Sequence, residues 1–123
     1  MLFMATTKTV HDPDVLALYE RLVSKLPDQR VKGKNNPYTS LNGHMFTFLD
    51  KADKISVRLP KTDREAFLKR YPDCVSVQYN TVMKEYVIVP DEILSNSRSI
   101  TKLMQDSLAY VSGLKPRPVP KAK

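Results

Sequence analysis

Six charged side chains fall within the ten residues from Lys61 to Arg70, inside the stretch LPKTDREAFLKRYP. Acids and bases at that density suit a polar active site, an anion-binding surface or the two ends of a helix. The spacing favours the helix. Thr62 followed three residues later by Glu65 fits a capping box, in which hydroxyl and carboxylate each satisfy a backbone N–H. Asp63 would sit in the first turn and Lys69 and Arg70 in the last, where the helix dipole favours each sign. Ala66, Phe67, Leu68 and Tyr71 are then expected on the buried side, and Pro72 follows the end. The cluster reads as helix punctuation.

Other reactive residue types are sparse. His11 lies before a helix and His44 at a strand entrance, and no spacing brings the two together with carboxylates as a metal site would require. No Ser or Cys stands in a nucleophile-elbow context. The lone cysteine, Cys74, has no partner for an internal disulfide and reads as a small buried hydrophobe on its strand. No cofactor motif is present. The expectation is a non-enzymatic chain without a cofactor.

Binding offers more. The formal charge is +7, but Lys115, Arg117, Lys121 and Lys123 of a Pro-rich tail supply four of those charges, leaving +3 for residues 1–114. Within that body, Arg30, Lys32 and Lys34 share a polar loop preceded by Arg21 and Lys25, with Tyr38 downstream as a stacking platform. This is the candidate nucleic-acid surface, since cations on one face neutralise phosphates and aromatic rings stack on bases. The competing surface is a strand. Lys54, Ser56 and Arg58 alternate with Ile55, Val57 and Leu59 and are expected to face solvent. If Met45, Thr47 and Leu49 share that wet face, with Phe46 and Phe48 turned into the core, a mixed surface for a protein partner or a second copy results.

The elements that position these residues follow from period and punctuation. Asp12 as N-cap and Pro13 as first helical residue open a helix with an apolar stripe of Val15, Leu18, Tyr19, Leu22 and Leu26, stopped by Pro27. A turn-rich stretch with a short strand within residues 37–41 leads to a hairpin over residues 44–59. The charged helix comes next, then two strands. The first of these is expected to alternate Val75, Val77 and Tyr79 against Cys74, Ser76 and Gln78, and the second covers residues 85–89. A helical turn at residues 90–92 precedes a longer helix with Ile100, Leu103, Met104, Leu108 and Val111 on its core face and Gly113 at its end. Strands grouped in hairpins with helices between them indicate an α+β two-layer domain with a mainly antiparallel sheet. The expected organisation is a flexible arm over 1–11, one domain over 12–114 and a basic tail over 115–123. No run approaches membrane-spanning length, so a soluble, cytoplasmic protein without membrane contact is expected.

Several short motifs in this order resemble the TfoX amino-terminal domain family. They are Met45-Phe46 before an acidic-tipped hairpin, Val57-Arg58-Leu59-Pro60 leading into Asp63-Arg64-Glu65, Tyr86-Val87-Ile88-Val89-Pro90, and Ser107-Leu108-Ala109-Tyr110 before a Pro/Lys tail. The resemblance spans residues 13–120. It implies an α-β(3)-α-β(2)-α fold similar to YjbR-like and secretion-chaperone-like proteins, and a regulatory domain of a family linked to bacterial competence, acting through protein partners. It implies no catalytic residues. One departure is plain: where the family has a Gly-rich entry to the sheet, this chain has NNPYTSLNGHMF.

Overall fold

The computed structural model describes residues 11–33, 36–78 and 80–116. Its order is α1 (Pro13–Ser24), β1 (Tyr38–Leu41), β2 (His44–Leu49), β3 (Ile55–Arg58), α2 (Lys61–Arg70), β4 (Val75–Gln78), β5 (Thr81–Ile88), α3 (Asp91–Leu94) and α4 (Ser97–Ser112). The strands form one antiparallel sheet in the order β1-β2-β3-β5-β4. This is the α+β architecture expected from the sequence.

α1 begins as its residues dictate. The Asp12 carboxylate accepts the Asp14 backbone N–H at 2.8 Å, Pro13 occupies the first helical position, and Tyr19, Leu22 and Val23 are buried. α4 is capped by the Asn96 side chain accepting the Ser99 N–H, and its Ile100, Met104 and Val111 reach the core. Gly113 does end it, in the ordinary right-handed region and not the left-handed one favoured by a Schellman turn. α1 and α4 cover the same side of the sheet. Tyr19 reaches the Thr47 hydroxyl at 2.7 Å, and the Ser107 hydroxyl donates to the Phe46 carbonyl at 3.1 Å.

Several expectations about side-chain direction are corrected. Between Thr39/Thr47 and Ser40/Met45 the β1–β2 register slips, and the extra residue is Phe46 of β2. A bulge breaks strict alternation, so neighbouring Phe46 and Thr47 are both fully buried. Thr47 pairs with Val57 and Leu49 with Ile55, so Thr47 and Leu49 lie on the helix-covered core face and not on a wet surface. Phe48 pairs with Ser56 on the opposite face, away from the core where it was expected. Ser56 is itself fully buried, its hydroxyl 2.9 Å from that of Ser76. β3 is therefore a central strand covered on both faces, with Lys54 exposed just before it and Arg58 half-buried at its end.

β4 inverts in the same way: Cys74 and Ser76 are buried and Val77 is 48% exposed, while Tyr79 lies outside the described residues. As an edge strand, β4 leaves Val77 opposite the equally exposed Val82. α2 begins two residues earlier than a Thr62 cap would allow. Pro60 is the cap residue, no side chain bonds there, and the Pro60 carbonyl already accepts the Arg64 N–H at 2.8 Å. A tertiary contact sets that first turn: the Arg64 guanidinium donates to the Tyr86 carbonyl of β5 at 3.2 Å. No α2 residue is buried, Phe67 and Leu68 are half-buried, and Ala66 is exposed.

His11, expected on a loose arm, is 6% exposed with Nδ1 3.0 Å from the Asp53 carboxylate. Residues 1–10 and 117–123 lie outside the described residues. Among the described residues no helix is long and apolar enough to cross a membrane.

Candidate functional site

The face of the sheet away from α1 and α4 carries a recess of about 670 Å³. Its apolar walls are Tyr38 of β1, Met45 and Phe48 of β2 and Met83 of β5, with Gln78 and Thr81 from the β4–β5 hairpin and Asp50 and Lys51 from the β2–β3 turn at its rim. Each wall has a local cause. Tyr38 stands over Gly33, whose φ of +82° places it in the left-handed region; a Cβ there would lie 2.5 Å from the Asn36 carbonyl oxygen and 3.2 Å from the Tyr38 ring. Glycine is required for that close approach. Phe48 leans on Tyr86 with ring centroids 5.5 Å apart and planes at 57°, a tilted aromatic pair. The Tyr86 hydroxyl donates to the Met45 carbonyl at 2.7 Å, tying β5 across β3 to β2.

The hairpin faces the recess because β5 bends. Where β4 advances from Val75 to Val77, its partner moves from Val87 to Val82, so several β5 residues have no opposite number. Within them Glu85 adopts φ +74°, a left-handed conformation rare for a residue with a side chain. The side chain is held firmly. Glu85 Oε1 accepts from Arg58 Nε at 2.8 Å and lies 2.7 Å from Nη2, and Oε2 accepts the Tyr110 hydroxyl at 3.1 Å. The Arg58 guanidinium lies over the rings of Tyr86 and Tyr110, at 6.0 and 5.7 Å from their centroids. Arg58 Nη1 is 3.4 Å from His44 Nδ1, and His44 Nε2 is 2.8 Å from the Lys115 carbonyl oxygen. Burial pushes the Tyr110 hydroxyl up from its usual range, its bond to Glu85 adds to this, and Arg58 opposes it. The hydroxyl is thus kept protonated as a donor.

This network joins β2, β3, β5, α4 and the start of the tail beside the recess. It is a clamp: the unusual backbone at Glu85 is maintained by bonds on both carboxylate oxygens.

No protein-family model, curated protein or solved structure matches this chain.

The residues singled out in the sequence distribute as follows. Of the cations, Arg21, Lys25 and Arg30 are exposed and Lys34 lies outside the described residues. Lys32 turns its ammonium to β1, 3.0 Å from the Ser40 hydroxyl. Lys25 meets Arg98 and Lys102 in a shallow depression at the start of α4, where Lys102 pairs with Asp106 at 3.2 Å. Tyr38 belongs to the recess. Of the partner-surface residues, Met45 and Leu49 line the recess. Thr47, Leu49, Ser56 and Arg58 serve the core or the clamp, while Leu49 also borders the recess floor. Cys74 is buried, and its thiol is pushed up by burial and by nearby Asp73, with Lys54 opposing. A thiol held protonated is a poor nucleophile. Among the described residues no group of His, Cys, Asp and Glu converges as metal ligands do.

Sequence reasoning missed Met83, Gln78 and Thr81 on one side of the recess and Glu85 as its hinge. The alternation of Thr81, Met83 and Glu85 is a signal for a shared strand face. The backbone reversal that aims them has none, since Glu is not a residue that favours φ > 0.

Proposed function

We propose that this chain is a non-enzymatic binding domain, regulatory in kind like the TfoX amino-terminal domain its motifs resemble, which takes an extended apolar segment of a protein partner into the recess. The carrying observation is the pairing of Met45 and Met83 with Tyr38 and Phe48 around about 670 Å³, a size within the ordinary range of ligand sites of roughly 300–1,000 Å³. Methionine side chains repack around apolar surfaces of different shape, which suits recognition of a peptide segment. The ionisable groups nearby, Arg58, Glu85, Tyr110 and His44, are bonded to one another and shape the recess. A soluble, cytoplasmic setting belongs to the same proposal.

Peptides selected from a displayed random library for binding to the chain test this reading. They are expected to centre on apolar residues and to bind the Met83→Asp variant at least about tenfold more weakly, because a carboxylate would be desolvated without a partner. Undiminished binding to that variant removes the recess from consideration. Binding of duplex or single-stranded nucleic acid that falls steeply with salt, is lost in Lys32→Glu and is retained in Met83→Asp would replace this reading. It would favour one built on Arg21, Lys25, Arg30, Lys32 and Lys34.

A further inference from the structure

We propose that the open edge of β4 is a self-pairing surface, on which two copies of this chain join β4 to β4 antiparallel about a two-fold axis at Ser76. The two five-stranded sheets then continue into one. This surface lies beside the recess and does not depend on what the recess binds.

The two edges of the sheet differ in how their backbone groups are satisfied. An edge strand presents a row of N–H and C=O groups that its one neighbour cannot answer. At β1 they are answered within the chain. The Tyr38 N–H and C=O pair with the Lys32 C=O and N–H at 3.0 and 2.8 Å, and the Lys32 ammonium donates to the Ser40 carbonyl at 3.4 Å. β4 has no such cover. The Cys74 carbonyl faces β5 and accepts the Ile88 N–H at 2.8 Å. Alternation along an antiparallel strand therefore turns the N–H and C=O of Val75 and Val77 to the outside. Among the described residues no backbone group bonds to them from that side.

A second β4 supplies the missing partners. With Ser76 opposite Ser76, Val75 of each copy stands opposite Val77 of the other, and the outward groups of both bond to one another. Three features fit this register. VSVQ contains neither charge nor proline, so no like charges meet and no donor is missing. Ser76 is small and its hydroxyl is already turned to that of Ser56, 2.9 Å away, which suits the close non-hydrogen-bonded pair at the axis. Val77 and Val82 are the exposed large hydrophobic residues of the described chain, and they stand side by side. Val75 shares their face, opposite core Val87, so Val75 of the second copy covers the free flank of Val77 and continues the apolar row. The same patch serves both copies, as a two-fold interface requires.

Sedimentation equilibrium of the full chain from about 10 µM to about 1 mM tests this, with amide hydrogen exchange at both ends of that range. A reversible dimer and no larger species is expected, with exchange of the Val75 and Val77 amides at least about tenfold slower at the high concentration. The amide of Val57, on the central strand β3, should exchange equally slowly at both and is the internal control. Val77→Lys places a charge on the edge and should weaken association at least about tenfold, whereas Met83→Asp in the recess should leave it unchanged. A monomer throughout, growth beyond a dimer, or a dimer in which neither valine amide slows overturns the proposal. So does association lost in Met83→Asp, or undiminished in a Val77→Lys variant that keeps its Val57 protection. If Val77→Lys does not fold, the two valine amides of the unsubstituted chain decide alone.

Discussion

The two faces of the sheet are built on different rules. On the helix-covered side, Phe46, Ile55, Val57 and Val87 are sealed by Tyr19 and Leu22 of α1 and by Ile100, Met104 and Val111 of α4, each of them 3% exposed or less. The polar atoms admitted there answer one another: Tyr19, Thr39 and Thr47 form a chain of hydroxyls at 2.6–2.7 Å. Burial drives the Tyr19 hydroxyl far up, so that it stays neutral at any ordinary pH. The recess side is walled by long adaptable side chains, and its shape comes from a strained bend instead of close packing. The contrast separates stability from recognition. One face holds the fold together, and the other keeps apolar surface concave and accessible without contributing equally to the core.

The largest expected effect tests that division directly. Phe46→Ala removes a fully buried ring at the bulge where α4 meets β2 and is expected to lower unfolding free energy by about 3–5 kcal/mol. Met83→Asp on the recess face should change it by less than about 0.5 kcal/mol while weakening peptide binding at least about tenfold. Chemical denaturation of both variants checks the pair. Equal losses would mean that the recess is part of the core and the two faces are not distinct.

A smaller and sharper effect belongs to the bend. Glu85→Ala severs the bonds to Arg58 and Tyr110 and should cost about 2 kcal/mol, leaving a half-buried guanidinium without its carboxylate. Glu85→Gly severs the same bonds yet relieves the left-handed backbone at φ +74°, worth about 1 kcal/mol. Glycine is therefore expected to be the milder substitution, the reverse of the usual order in a strand. If Glu85→Gly is the more damaging of the two, the clamp does not hold a strained hinge.

What the sequence made legible follows the same divide. α1 and α4 were readable because a period of 3.6 with caps is a local property, and Asp12 and Asn96 cap as such residues do. The α+β order and hairpin grouping were also readable. Side-chain direction in the sheet was not. The bulge at Phe46 and the slip opposite Ser76 change which side chains point inward, and a one-residue shift exchanges the two faces of a strand. Thus Thr47 looked wet and is buried, and Phe48 moved from core to recess, while Ser56 keeps its expected face and is buried because that face of β3 is covered too. Of the recess, Tyr38 and Met45 were flagged for other reasons. Met83 and Gln78 became neighbours of Met45 only through the bend at Glu85, which composition does not announce.

The smallest effect concerns the charged helix, compared with α1. Both carry cap-forming residues, yet only one cap forms. The Asp12 carboxylate accepts the Asp14 N–H at 2.8 Å, so Asp12→Ala should cost about 1 kcal/mol. Thr62 sits inside the first turn, exposed and without a cap bond, because Pro60 and the Arg64–Tyr86 contact start α2 earlier. Thr62→Ala is accordingly expected to change stability by no more than about 0.5 kcal/mol. Thermal unfolding of the two variants side by side measures the difference. A loss at Thr62 as large as at Asp12 would restore the capping box and show that tertiary contact with β5 does not set where α2 begins. A near-zero loss would leave the six charges of α2 as a solvated surface, with Arg64 alone anchored to the sheet that forms the recess.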